Sequence, residues 1–408
     1  MAVIHDMRIP SSPKGYIFLP KHIYSQKMHT DLSKGIETLT RHAFDSTSAT
    51  TSQNALRVIC NAMLLKPEVR QIFVDLGCES KACQKLKNDS RDDEFLLSRI
   101  IFLTTYGTSV DLPNLIEQHQ LAETVVENLS RHAARRSPSA AGKEKSDPME
   151  AMALDETLKL LFNVTRFAEK HLDSFAEALP HIVTLLATHE IPSRGSPLEA
   201  PFSLLINSLL NLKLDTEAAK AALFPSTAPG SVTDRLIHLL DLSMKHYNDS
   251  ELEQVVTPLV CVISSLHEHA PDYTRQLIRD KLFPTEKDRE AVLGKSDTLA
   301  SRLLRNSTNP VAPELRKAIS HLFFDMSDKD AGKFIENVGY GFASGFLFQN
   351  NIPIPEGSSV GGAAEGNTRD VNPITGQFRD AEKFPDEPEM TDEEKEREAE
   401  RLFVLFER

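Results

Sequence analysis

Twelve stretches of this chain place apolar residues three and four positions apart. That spacing keeps one side of an α-helix dry and does not suit a strand, whose side chains alternate every second residue. The stretches are 53–66, 92–106, 114–130, 150–168, 171–187, 200–212, 231–246, 250–268, 272–281, 296–305, 312–326 and 328–348. Few alternating β-branched runs compete with them. Breaks fall at Pro67, Pro113, Pro180, Pro192, Pro284 and Pro310, and across 225–230. The pattern predicts an all-α chain of paired, short to medium helices.

One motif recurs on these helices. Leu56-Arg57 leads through an apolar run to Asn61, and Leu158-Lys159 leads likewise to Asn163. Phe202 to Asn207 is a looser copy with a second amide at Asn211, and Leu315 to Ser320 is a degraded one. Leu158 and Phe202 are 44 residues apart, inside the roughly 40–47 residue period of armadillo and HEAT repeats. One such unit cannot bury its apolar face alone, so neighbours stack into a solenoid with a concave inner surface. The expected architecture is an armadillo/HEAT-like α-solenoid over residues 35–352, with a surface insertion at 132–149. In each copy the basic residue and the asparagine, four apart, share one exposed stripe of the inner helix. Arg57, Asn61, Lys159, Asn163, Asn207 and Asn211 are therefore candidates to hold a peptide, since an amide offers two donors and an acceptor. The alternative is that each asparagine only ties neighbouring repeats together.

The ends read differently. Residues 1–34 are proline-broken and unpatterned, and 353–390 are rich in Pro, Gly and Glu, so a flexible linker is expected there. Residues 391–408 start with a capping box, Thr391 to Glu394, and carry Ala399, Leu402, Phe403 and Phe406 on one stripe. An amphipathic helix that must dock on something is expected, on the solenoid or on a partner.

Charge and motifs narrow the function. The net charge is −13, and residues 379–408 hold 12 acidic against 6 basic side chains. No basic stripe marks a nucleic-acid binder. No run approaches the roughly 18 apolar residues of a membrane span, and no signal core opens the chain. Cys60, Cys78, Cys83 and Cys261 lack metal-knuckle spacing and read as reduced thiols. LGKS at 293–296 has Arg289 where a phosphate loop needs glycine, so Ser296 reads as a helix N-cap with Leu299, Leu303 and Leu304 on the buried face. In VGYGFASGF, at 338–346, Gly339 reads as a C-cap and Gly345 as a site of close helix packing. His267 and His269 are two apart, pointing to different helix faces, so zinc is not expected. No nucleophile or metallohydrolase signature occurs. The expected protein is cytoplasmic, monomeric and without cofactor, metal or covalent catalysis.

Several segments together resemble the synembryn family, also called resistance to inhibitors of cholinesterase, in a form similar to its fungal members. They are ALRVICNAMLLKPEVRQ, DEFLLSRIIFLTTY, ETLKLLFNVT, LGKSDTLASRLLR, DKDAGKFIENVGYGFASGFL, VNPITGQF and MTDEEKEREAERLFVLFER. The likeness runs in order from about Gly35 to Arg408. It implies an armadillo/HEAT-like superhelix. It also implies a non-receptor guanine nucleotide exchange factor and folding chaperone for heterotrimeric G-protein α subunits, which does not bind nucleotide itself. By resemblance the groove for the α subunit's C-terminal helix uses Arg57, Asn61, Lys159, Phe162, Asn163, Asn207 and Asn211. Leu402, Phe403 and Phe406 belong to a C-terminal helix, and the segment after the solenoid contacts the GTPase domain. Recruitment to the inner face of the plasma membrane is a further expectation. The family's acidic phosphorylation region would lie beyond residue 408, so phosphorylation control is not implied. A generic peptide-binding scaffold without exchange activity is the alternative.

Overall fold

The computed structural model describes residues 28–136, 147–192, 195–354, 369–372, 374–382 and 397. The first helices are α1 (Met28–Asp45), α2 (Ala49–Leu65), α3 (Glu68–Asp75) and α4 (Cys78–Leu86). Then come α5 (Arg91–Thr104), α6 (Leu112–Glu117), α7 (Leu121–Arg135) and α8 (Pro148–Phe167). A 3-10 turn over Glu169–Phe175 leads to α9 (Ala178–Thr188), α10 (Phe202–Asn211), α11 (Glu217–Leu223) and α12 (Ser231–His246). The remainder are α13 (Asp249–Val255), α14 (Thr257–His269), α15 (Asp272–Leu282), α16 (Leu299–Asn306), α17 (Pro313–Met326), α18 (Ala331–Val338) and α19 (Tyr340–Gln349). Among the described residues there is no strand, only one antiparallel pair, Val371 with Phe378.

The chain divides into two compact units, residues 1–282 with 305–328, and residues 283–304 with 329–408. In the first unit α2, α5, α8, α10, α14 and α17 pack in succession as one row, and α4, α7, α9, α12 and α15 as a second. From α2 to α10, neighbours in the first row run in the same direction. Arg57 and Cys60 of α2 meet Asp92 and Leu96 of α5. Arg99 and Thr105, at the end of α5, meet Glu156 and Asn163 of α8. Asn211, the last residue of α10, reaches the last turns of α8. Corresponding helices stacked in parallel are what tandem helical repeats produce, and this is the predicted armadillo/HEAT-like α-solenoid. Leu56, Ile59, Met63, Leu97, Ile100, Ile101, Leu158 and Leu161 are fully buried between the layers. Each such side chain contributes about 1.5–3 kcal/mol of transfer free energy.

Local chemistry sets the ends. Ser48 accepts from Thr51 N–H at the start of α2, and Ser90 from Asp93 N–H at the start of α5. Asp147 caps α8, whose first residue is Pro148, and Asn248 with Glu251 forms a full capping box on α13. These satisfy amide groups that the first helical turn leaves unpaired.

Four predicted helices are split. The stretch 171–187 becomes the 3-10 turn Glu169–Phe175 and α9. The stretch 114–130 becomes α6 and α7 because Gln120 adopts left-handed φ 57°. The stretch 250–268 divides before Thr257-Pro258, because proline supplies no N–H and crowds the preceding turn. The stretch 328–348 divides at Gly339, φ 85°, the expected C-cap, whose N–H meets Ile335 O. Helices α1, α3, α4 and α11 were not foreseen; α3 and α4 are only 8 and 9 residues long, too few for a clear period. The insertion is narrower than 132–149. Helix α7 continues to Arg135 with His132 and Ala133 buried, and α8 starts at Pro148.

In the second unit, part of the expected linker is folded. Phe378 is fully buried and its N–H donates to Arg289 O at 2.8 Å. Arg369 lies 4.0 Å over the Phe378 ring and pairs with Asp380 and Glu290. Arg289 donates to Gly376 O and to the terminal carbonyls of α18 at Glu336 and Asn337. Gly376 holds φ 68°, and a Cβ there would stand 2.3 Å from Leu293 Cδ1. Gly376→Ala is thus expected to cost the second unit about 2–4 kcal/mol, from left-handed strain plus overpacking; a denaturation midpoint equal to wild type would refute this. Two expectations need correction here. Ser296 donates to Asp288 instead of capping α16, and Thr298 Oγ1 accepts from Ser301 N–H. A Cβ at Gly345 would meet none of the described residues within 4 Å, so the expected close packing is not seen among them.

Candidate partner-binding surface

Three helices of the first row leave the same side open. On α2 the exposed residues Asn54, Arg57, Val58, Asn61 and Leu65 share one face, with Val58 44% and Leu65 65% exposed. On α5 the partly exposed line is Phe95, Arg99 and Phe102, continued by Tyr106. On α8 it is Met152, Asp155, Lys159 and Arg166. Cross-ties place these lines side by side. Arg57 pairs with Asp92 of α5 at 2.7 Å, and Arg99 approaches Glu156 of α8 at 3.6 Å. Lys159 also holds Glu156, at 2.8 Å. Phe102 and Tyr106 meet edge to face at 5.2 Å, and the Arg99 guanidinium sits 5.3 Å over the Phe95 ring. The cations already hold carboxylates, so what this face offers is apolar, aromatic and amide surface. Exposed apolar area of this kind, rimmed by polar groups, marks interaction sites.

The expected ladder of exposed amides is present on α2 and not on the next helices. Arg57 and Asn61 are exposed and Lys159 half-buried, but Phe162 is 6%, Asn163 3% and Asn207 9% exposed. Asn163 donates to Thr105 Oγ1 at 2.7 Å, and half-buried Asn211 donates to Phe162 O at 3.0 Å and Thr165 Oγ1 at 3.2 Å. The reason is position. Helix α8 has a neighbour on each side, so amides beside its open stripe face a seam. There they tie successive layers, which was the alternative reading of the repeat. Val58, Leu65, Phe95, Phe102 and Tyr106 were not foreseen. Their signal is visible in retrospect, since Phe95 and Phe102 are two turns apart and Tyr106 follows one turn later. Leu402, Phe403 and Phe406 lie outside the described residues.

Behind this face an ionic clasp joins α5, α7 and α8. His132, 1% exposed, meets Glu94 Oε1 through Nε2 at 2.9 Å and Glu150 Oε1 through Nδ1 at 2.5 Å. Thr157 donates to Glu94 Oε1 at 2.7 Å, while Arg91 and Arg135 both hold Glu150 Oε2. Burial opposes a charged imidazole, yet hydrogen bonds to Glu150 and Glu94 outweigh it and raise the His132 pKa above its usual value. Burial would raise Glu150, but His132 and Arg135 pull it down to about 2. Nearby Cys60 donates to Leu96 O, and burial pushes its pKa up to about 12, so it stays a thiol.

Metal and membrane chemistry find no footing in the described residues. No group of three His, Cys, Asp or Glu there is placed to hold a metal ion, and no helix there is long and apolar enough to cross a membrane. His267 is buried in α14, its pKa lowered to about 4 by burial and then by Arg279 and Arg275. The four cysteines are free.

Comparison with known proteins converges on one family. The model described as guanine nucleotide exchange factor synembryn matches residues 25–408. A synembryn-like chaperone of Schizosaccharomyces pombe is 24% identical, over 79% of this chain and 62% of its own length. Chaperone Ric-8A of Bos taurus is 24% identical, over 87% of this chain and 70% of its own. The chain thus spans about two thirds of the length of these relatives. Among solved structures, a designed armadillo repeat protein is 14% identical, covering 70% of this chain and 99% of its own, with a TM-score of 0.41. With the family model running through nearly the whole of the sequence, the chain belongs to the synembryn family of guanine nucleotide exchange factors.

Proposed function

We propose that this protein is an exchange factor and folding chaperone for heterotrimeric G-protein α subunits, and that it works without covalent catalysis. It holds the α subunit's C-terminal helix on the open face of α2, α5 and α8. Arg57, Val58, Asn61, Leu65, Phe102, Tyr106 and Lys159 make the contacts. Phe162, Asn163, Asn207 and Asn211 shape the seams beneath and alongside, and Leu402, Phe403 and Phe406 supply a second contact on the GTPase domain. The observation that carries this reading is the apolar and aromatic face itself, open on three adjacent parallel helices. Family membership and the relatives' names as chaperones support it.

The mechanism needs no nucleotide site. In a GTPase the last helix packs on the sheet and ends near the guanine-holding loop. Capturing that helix removes its packing from the nucleotide side, so the empty α subunit binds more tightly than the GDP-bound one. Moving such a balance from 1:99 to 99:1 takes about 5.5 kcal/mol of differential binding. A standard interface of about 1,600 Å² reaches nanomolar affinity or better, so the groove can supply it. GTP rebinding then releases the factor by reciprocity. The same capture shields a nascent α subunit from aggregation.

Two measurements test this. Purified α subunit should lose GDP faster when the protein is added; an unchanged rate would favour the scaffold reading. The double variant Leu65→Glu with Phe102→Glu should weaken binding of the α subunit's C-terminal peptide about a hundredfold, two anchors each being worth about 1–2 kcal/mol. Both side chains are at least partly exposed, so helix content should be retained by circular dichroism. Full affinity in this variant would move the site elsewhere.

A further inference from the structure

On the open face one charged group pairs with none of the described residues. We propose that Asp155 receives a lysine or arginine side chain from the helix docked on the first row, and so helps to set which helices dock; this rests on the reading above. Asp155 lies on the open stripe of α8, between Met152 and Lys159, and is half-buried. Lys159, one turn on, would be its natural partner. That ammonium is instead held by Glu156 at 2.8 Å, which Arg99 also approaches at 3.6 Å. Asp155 itself makes no hydrogen bond or ion pair with the described residues. Next to it, Glu156 is 3% exposed, and its Oε2 is buried without a hydrogen-bond partner. The two neighbouring acids thus have three carboxylate oxygens unpaired, beside a surface otherwise fitted for an apolar helix. Burying polar groups unpaired is costly, and an incoming guanidinium or ammonium relieves that cost.

The charges around Asp155 are few. On its own helix stand Lys159 and Glu156, and from α7 comes His132. Helix α5 contributes Arg99 and Glu94, committed to Glu156 and His132. Helix α10, FSLLINSLLN, has no ionisable side chain, and Glu169, Lys170, His171 and Asp173 of the 3-10 turn follow the opposite end of α8. Burial pushes the Asp155 carboxyl up to about 6, against the pull of Lys159. An incoming cation would lower it again, so docking releases a proton. With a free value near 6, deprotonating Asp155 costs about a factor of ten at pH 5 and almost nothing at pH 7, so affinity rises about tenfold between them.

The experiment titrates a synthetic C-terminal helix peptide of a G-protein α subunit into the full-length protein by calorimetry from pH 5 to pH 7.5. Wild type should bind about tenfold more tightly at pH 7 than at pH 5. Asp155→Asn should be about tenfold weaker at pH 7 and should lose most of that pH dependence. Replacing the peptide's basic residues by glutamine one at a time should identify one whose loss weakens wild type and leaves Asp155→Asn unchanged. If the peptide binds wild type and Asp155→Asn equally at every pH, this proposal is overturned while the docking face stands. If the peptide binds neither protein at any pH, the docking face falls and this proposal with it.

Discussion

Replacing His132 with alanine is expected to lower the unfolding free energy of the first unit by about 3–5 kcal/mol, the usual cost of stranding a buried charge. Among the described residues Glu94, 4% exposed, would keep only the Thr157 hydroxyl, whereas Glu150 would retain Arg91 and Arg135. Urea denaturation followed by circular dichroism reads the change. The paired variant His132→Leu with Glu94→Gln should recover much of the loss, because no charge is then left unmatched. If His132→Ala unfolds at the wild-type midpoint, the clasp contributes nothing.

The same clasp fixes a pH dependence whose sign can be worked out. Glu150 has its pKa lowered from 4.5 to about 2, so its contribution is complete above 4.5 and lost as pH falls from 4.5 towards 2. His132 is raised above 6.5, so its contribution is complete below 6.5 and lost as pH climbs through the folded-state value. Stability should therefore peak between about pH 5 and 6.5, with an acid limb that Glu150→Gln flattens. A profile level from pH 3 to pH 9 would contradict both assignments.

Phe378→Ala is expected to cost the second unit about 3–5 kcal/mol, as for other buried aromatic truncations. Its ring is fully buried and covered by Arg369, and its backbone holds Arg289 O. Loss of the ring should free residues 369–382. Trypsin would then cut after Arg369 and Arg379, and the Leu293 amide, bonded to Thr375 O at 3.2 Å, would exchange faster. Wild-type protease resistance in the variant would show that the segment is held by other contacts.

Much of the fold is legible in the sequence because helix spacing survives at every buried layer. Residues 231–246 match α12 at both ends, since the stretch is one uninterrupted amphipathic run. The splits at Gln120 and Gly339 depend on single backbone conformations, and a residue such as glutamine gives no hint of a left-handed φ. The folded part of 369–382 was hidden by its composition: Pro, Gly and Gln in a stretch whose order comes from Phe378, Arg369 and the distant Arg289. The site was half legible. The repeat pointed to α2 and α8, two of the three helices of the candidate face, and to the exposed Arg57 and Asn61, but not to α5. It could not say that Asn163 points to Thr105, because a side chain beside a stripe turns outward or into a seam according to what flanks the helix. His132 was misplaced for a related reason: a histidine at the edge of a polar stretch gives no sign of the two acids waiting from other helices.

Stacking α2, α5, α8 and α10 in one direction has an electrostatic consequence. Peptide dipoles that would cancel in an antiparallel bundle add up here, so the amino ends gather along one margin and the carbonyl ends along the other. Asp92, Asp93, Glu94, Asp147 and Glu150 crowd the amino margin, and Arg166 stands on the carbonyl margin. A charged helix approaching the face therefore meets a field that varies along its length, and one polarity of entry is favoured over the reverse before any side chain touches.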